Sequence, residues 1–144
     1  MESWLSRLEA LVHDYVEEVQ KLERNRKIGD GLFGLRPGPA DNPCHDRFAA
    51  DVQQLMADCR DAAPDPGECA GLLRFLFTAA EPWRDLRSAY WMLIAVQGYG
   101  MELIDRLSHA DAAALAELYA AQYPRHERLP VQDKILKKLR AVLQ

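Results

Sequence analysis

Eight consecutive apolar residues, Ala89 to Val96, followed by Met101, Leu103, Ile104 and Leu107, constrain this chain more than any other feature. A helix that is apolar on every side has to be surrounded by protein. The run ends at Gln97, and Glu102, Asp105 and Arg106 follow, so it falls short of the roughly 20 residues a bilayer span needs. It reads as the buried central helix, about 86–107, of an all-α, compact single-domain bundle of five to six helices. Trp91, Leu93, Ile94 and Ile104 are expected to face most of the other helices, with Tyr90 and Tyr99 as core or helix-contact aromatics. Gly98 and Gly100 each cost about 1 kcal/mol relative to Ala inside a helix. Either close approach of a neighbouring helix or a kink must offset that.

The remaining elements follow from periodicity and punctuation. From Ser3 to about Lys27, Leu5, Leu8, Val12, Tyr15, Val19 and Leu22 alternate spacings of three and four, the pattern of a coiled-coil seam. Leu11 and Val16 widen that stripe and favour packing into a globular core, and a homodimer through this N-terminal heptad helix is the other expectation. Either Ser3 or Ser6, the latter with Glu9, can open the helix. The Gly- and Pro-rich stretch 28–42 is a loop, expected to be ordered with Leu32 and Phe33 tucked against the bundle. Asn42 and Pro43 open a second helix that ends near Arg60, and Asp65, Pro66 and Glu68 open a third. Glu81-Pro82-Trp83 breaks the chain before the central helix, with Asp85 or Ser88 as its cap. Ser108 with Asp111 caps an alanine-rich fifth helix. Pro130 starts a sixth, with Val131, Ile135, Leu139, Val142 and Leu143 inward. No strand pattern or internal repeat is present.

Composition bounds the function classes. At 144 residues the chain can bury about two thirds of its unfolded surface without metal or disulfide staples. A formal charge of −4 argues against polyanion binding as its main business, but residues 125–144 carry a net +4 and leave −8 on the rest. Three cysteines without a CxxC pair point to neither a disulfide framework nor a zinc knuckle. Together with an N-terminus lacking signal-peptide features, this gives the expectation of a cytoplasmic protein without a membrane segment.

Four patterns invite a chemical reading. Gly29, Gly31 and Gly34 have GxGxxG spacing, but they follow a helix and precede Arg36-Pro37-Gly38-Pro39, whereas a dinucleotide loop joins a strand to a helix. Cys44, second in a helix whose N-terminus lowers thiol pKa values, is the candidate nucleophile with His45 beside it. Consecutive helical side chains diverge by about 100°, so Cys44, His45 and Asp46 do not readily converge, and Cys44 shares the core face with Phe48. His13, His109 and His126 carry neither HExxH nor Glu-x-x-His spacing, so no metal or other cofactor is expected. Lys134, Lys137, Lys138 and Arg140 form a positive outer face on the sixth helix, a candidate surface for an acidic partner or a phosphate backbone.

Absence of a convergent polar set makes a non-enzymatic protein–protein interaction module with an unidentified protein partner the leading expectation. The alternatives are a nucleic-acid-associated regulator using the basic C-terminal helix, in an approximate helix-turn-helix, and a thiol-dependent enzyme at Cys44.

Overall fold

The computed structural model describes residues 3–29 and 43–143. Ser3 opens α1 (Trp4–Gly29), its hydroxyl oxygen accepting from the Ser6 amide at 3.0 Å, which decides between the two sequence-level starts. The seam residues Leu8, Val12, Tyr15 and Val19 are buried, as is Val16 on their flank. They pack within the chain against α2 (Pro43–Ala62) and α3 (Pro66–Thr78). The stripe that resembles a dimer seam is therefore filled internally. Ile28 and Gly29 belong to α1 rather than to the loop. The rest of the 28–42 loop, with Gly31, Leu32, Phe33, Gly34 and the expected Asn42 cap, lies outside the described residues.

Local signals set the helix ends. Pro43 is the first residue of α2, which runs two residues past Arg60 to Ala62. There Ala63 takes a left-handed conformation, φ 51°, and its amide donates to the Cys59 carbonyl at 3.1 Å, closing the orphan carbonyls of the last turn. Asp65 caps α3 by accepting from the Glu68 amide at 2.9 Å. A single 3₁₀ turn, Glu81–Trp83, follows.

The long apolar run is two structures instead of one α-helix. Arg87–Ala95 is α4, and Val96–Arg106 continues as an 11-residue 3₁₀ helix. The reason is in the glycines and the inward spacing. A Cβ on Gly100 would lie 2.7 Å from Leu76 Cδ2 and 2.8 Å from Leu73 Cδ2, so any side chain at 100 would force these buried leucines to shift. Buried Gln97, Gly100 and Leu103 recur every three residues, the 3₁₀ period, and such a tight turn is uncommon at this length without packing to hold it. Here α2, α3 and α6 supply that packing. Of the two offsets foreseen for the glycines, the close neighbour is present, and the segment takes 3₁₀ geometry, which was not foreseen.

Two further expectations for this run are corrected. Trp91 is 52% exposed. Ala89 and Leu93 point into the core, and a residue two positions from each lies about 200° around the helix from both. Neither Asp85 nor Ser88 caps α4; Leu86 occupies the N-cap without a side-chain hydrogen bond, and Ser88 Oγ is buried without a partner.

Ser108 caps α5 (His109–Gln122), accepting from the Asp111 amide at 3.1 Å. Pro130 starts α6 (Pro130–Ala141), where the Gln132 carbonyl oxygen accepts from the Leu129 amide at 2.9 Å. Gln132, Ile135, Leu136 and Leu139 are its buried face. Leu143, expected inward, is 41% exposed because α6 ends before it. Among the described residues there is no strand, and no helix is long and apolar enough to cross a membrane.

Candidate functional site

The chemical candidates from the sequence sit at the α1–α2 junction. His45 is buried and shares a 2.6 Å hydrogen bond between its Nδ1 and the Tyr15 hydroxyl, thirty residues earlier. Tyr15 stacks on Phe48 with centroids 4.1 Å apart and planes 10° from parallel. Arg47 pairs with Glu18 at 2.6 Å on the outer edge of the same junction. A shallow cleft here, lined by Tyr15, Cys44, Arg47 and the carboxylates of Asp14, Glu18 and Asp51, has one cation for three anions.

Burial in this arrangement works against the thiolate of Cys44. Cys44 is buried, and desolvation, reinforced by the Glu18 carboxylate, pushes its thiol above its ordinary value despite Arg47 nearby. A reactive cysteine needs the opposite shift. His45 is oriented by Tyr15, which burial likewise pushes up. The other two cysteines are also buried, with the Cys59 thiol pushed up to about 11 by burial. Among the described residues no group of His, Cys, Asp and Glu is placed to hold a metal ion.

A second polar constellation lies deeper. Gln97, the residue that ends the apolar run, is fully buried. Its amide nitrogen donates to the Phe77 carbonyl at 3.4 Å and the Tyr123 hydroxyl at 3.2 Å, and its oxygen accepts from the Tyr119 hydroxyl at 2.6 Å. Gln122 also donates to the Phe77 carbonyl, at 3.0 Å. Both atoms of the Gln97 amide are engaged, so the network ties α3, α5 and the 3₁₀ segment together. Periodicity alone does not reveal it. Its available signal was a Gln inside an apolar run, matched by Tyr119 and Tyr123 four residues apart.

The basic residues of α6 stay outside. Lys134, Lys137 and Arg140 are exposed, while Lys138 is partly covered and reaches Asp105 at 3.5 Å. The four cations are thus three solvated ones and one tied back to the 3₁₀ segment.

The surface feature that stands apart is aromatic. Arg87, Trp91 and Ala95 are exposed at spacings of four, and Tyr99, Glu102 and Asp105 at spacings of three, so one outward stripe follows the change from α to 3₁₀. Its lower charges are engaged, Glu102 with Arg60 and Asp105 with Lys138. Its upper part is not covered. Trp91 meets Tyr90 edge-on at 5.3 Å, Arg84 lies over the Tyr90 ring at 5.6 Å, and Glu81 holds Arg84 through two hydrogen bonds of 2.9 Å. Trp91 is therefore an exposed indole on a braced support. Nothing in the sequence separated it from its buried neighbours except its position opposite Ala89 and Leu93.

No protein-family model matches this chain, and no curated protein or solved structure shows significant similarity to it.

Proposed function

We propose that the protein is a non-enzymatic interaction module that engages a protein partner through the Trp91 surface. The observation that carries this reading is an indole 52% exposed that meets Tyr90 edge-on, with the Tyr90 ring itself held by Arg84 and Arg84 by Glu81. Large aromatic residues with few rotatable bonds lose little entropy when covered and are enriched among residues that dominate binding energy. The burial of Cys44, which raises its thiol, and the structural ties of the Gln97 network favour binding over catalysis. The test is affinity capture from source-cell lysate with wild type and Trp91→Ala, read by mass spectrometry and repeated with the purified partner. A stoichiometric partner lost with Trp91→Ala supports the reading, and a partner retained equally by both proteins rejects this surface.

A second reading rests on α6. Lys134, Lys137 and Arg140 are exposed and have no ion-pair partner among the described residues, which favours contact with an acidic protein or a nucleic-acid backbone. Binding of labelled DNA or RNA should then fall steeply with salt and be lost when Lys134, Lys137 and Lys138 are changed together to Gln.

A further inference from the structure

The shallow cleft beside Cys44 continues in both directions along α1 and α2. Leu11 and Asp51 line it and also a second opening of about 450 Å³, which reaches Arg7, Gln54 and Asp58. Asp14 and Glu18 line it and also a third of about 420 Å³, which reaches Glu17 and Lys21. The three openings are therefore one groove. Its helices run antiparallel, since Glu18 pairs with Arg47 near one end and Arg7 shares an opening with Asp58 at the other. From Arg7 to Lys21 it follows α1 for about 21 Å, at 1.5 Å rise per residue.

The floor of the groove is apolar. Leu11, half-buried, is flanked by Phe48 in the first opening and by Leu55 in the second. The walls are acidic, and their charges do not balance. Each Lys or Arg of the groove is already engaged: Arg47 with Glu18 at 2.6 Å, Lys21 with Glu17 at 3.4 Å, and Arg7 over the Trp4 ring at 4.7 Å. Three carboxylates are left without a Lys or Arg of their own among the described residues. Asp58 accepts from the Gln54 amide at 2.8 Å, and Asp14 meets the exposed His13 at 3.4 Å. Asp51 has no hydrogen bond or ion pair there, the nearby Arg47 being held by Glu18.

The placement of these three acids gives the shape of a counterpart. Asp51 and Asp58 are seven residues apart on α2, so they share one face of the helix at about 10.5 Å separation. Asp14 lines the same opening as Asp51 from the α1 wall. A helix whose cations recur every heptad, with apolar residues between them at spacings of three and four, matches both the carboxylates and the apolar floor. An amphipathic helix laid in a groove is a recurrent mode of recognition, and complementary charge fixes its register.

We propose that the α1–α2 groove is a docking site for a basic amphipathic helix of a partner protein, its apolar side on Leu11 and its Lys or Arg side chains on Asp14, Asp51 and Asp58. The groove shares no residue with the Trp91 surface, so either interface can fail without the other.

The probe is a fluorescent synthetic helical peptide of leucine and lysine with its lysines at heptad spacing, titrated with the full chain while anisotropy is read. Wild type is expected to bind it with an affinity that falls steeply with salt. Asp51→Asn with Asp58→Asn should weaken binding by about tenfold or more. The same change of charge made elsewhere, Asp85→Asn with Glu117→Gln at two exposed acids, should leave it unchanged. A scrambled peptide of the same composition should bind more weakly, and circular dichroism checks that each variant is folded. Failure of the heptad peptide to bind wild type, equal binding by the Asp51 and Asp58 variant, or equal losses in the two double variants would each overturn the proposal. Self-association of the chain alone that disappears in the Asp51 and Asp58 variant would place a second copy in the groove and overturn it as well.

Discussion

The two halves of the apolar run are continuous in sequence, yet they fold differently. α4 buries Ala89, Leu93 and Ile94 and leaves Trp91 in solvent. The following 3₁₀ helix buries Val96, Gln97, Gly100, Leu103 and Ile104 among α2, α3 and α6. What separates them is the neighbour. α4 is covered on one side and keeps the α period. The 3₁₀ half is held where Leu73 and Leu76 press on Gly100, and it tightens to repeat every three residues. Helix type here is set by packing, with the side chains of the segment only permitting it.

The largest effect should come from truncating the shared core. Ile94 and Ile104 are both essentially buried, and Ile94→Ala and Ile104→Ala should each cost roughly 2 to 5 kcal/mol in urea unfolding. If Ile94→Ala unfolds no more easily than wild type, α4 is not packed as described. Next is the buried network, which belongs to the 3₁₀ half alone. Tyr119→Phe removes the hydroxyl that donates to Gln97 at 2.6 Å and leaves a buried carbonyl oxygen short of a donor, a loss of about 1 to 3 kcal/mol. Unchanged stability would mean that water or another group replaces the hydroxyl.

The glycines sharpen the comparison within the 3₁₀ half. Gly100→Ala brings a Cβ to 2.7 Å from Leu76 and 2.8 Å from Leu73, both fully enclosed. Overpacking should outweigh the gain in helix propensity, for a net loss of roughly 1 to 2 kcal/mol. Gly98→Ala meets only Val131, which is half-buried and can yield, so it should be near neutral. Equal effects at both positions in thermal melts would refute the claim that α3 imposes the tight turn.

How much of this was legible follows the range of each interaction. The Asp65 and Ser108 caps, Pro43 and Pro130 at helix starts, and the inward stripe of α1 were readable because they are settled within a few residues. The α-to-3₁₀ change was not, because a 100° and a 120° turn share the same residue preferences and differ only in what lies alongside. The Tyr15–His45 bond and the Gln97 network join residues twenty to thirty apart on separate helices. Periodicity says which face is buried and is silent on which polar atoms meet there. The burial of Cys44 is legible from its position four before Phe48, whereas the hydrogen bond of His45 to Tyr15 on α1 is not.

The smallest expected effect concerns Trp91, and it divides the two halves most cleanly. A Trp packed into a core costs about 3 to 5 kcal/mol when truncated to Ala, which is the size a fully buried run would require. At 52% exposure, with an edge-on contact to Tyr90 as its main aromatic neighbour, Trp91 has little to lose. An aromatic pair contributes about 0.5 to 1.5 kcal/mol beyond area burial, and Trp91→Ala should therefore destabilise by about 1 kcal/mol or less. Urea unfolding followed by far-UV circular dichroism measures this without relying on the tryptophan signal. A loss of several kcal/mol would show that α4 is as enclosed as the 3₁₀ half. A small loss accompanied by complete loss of partner capture would show that the residue left outside the core is there to be covered by another molecule.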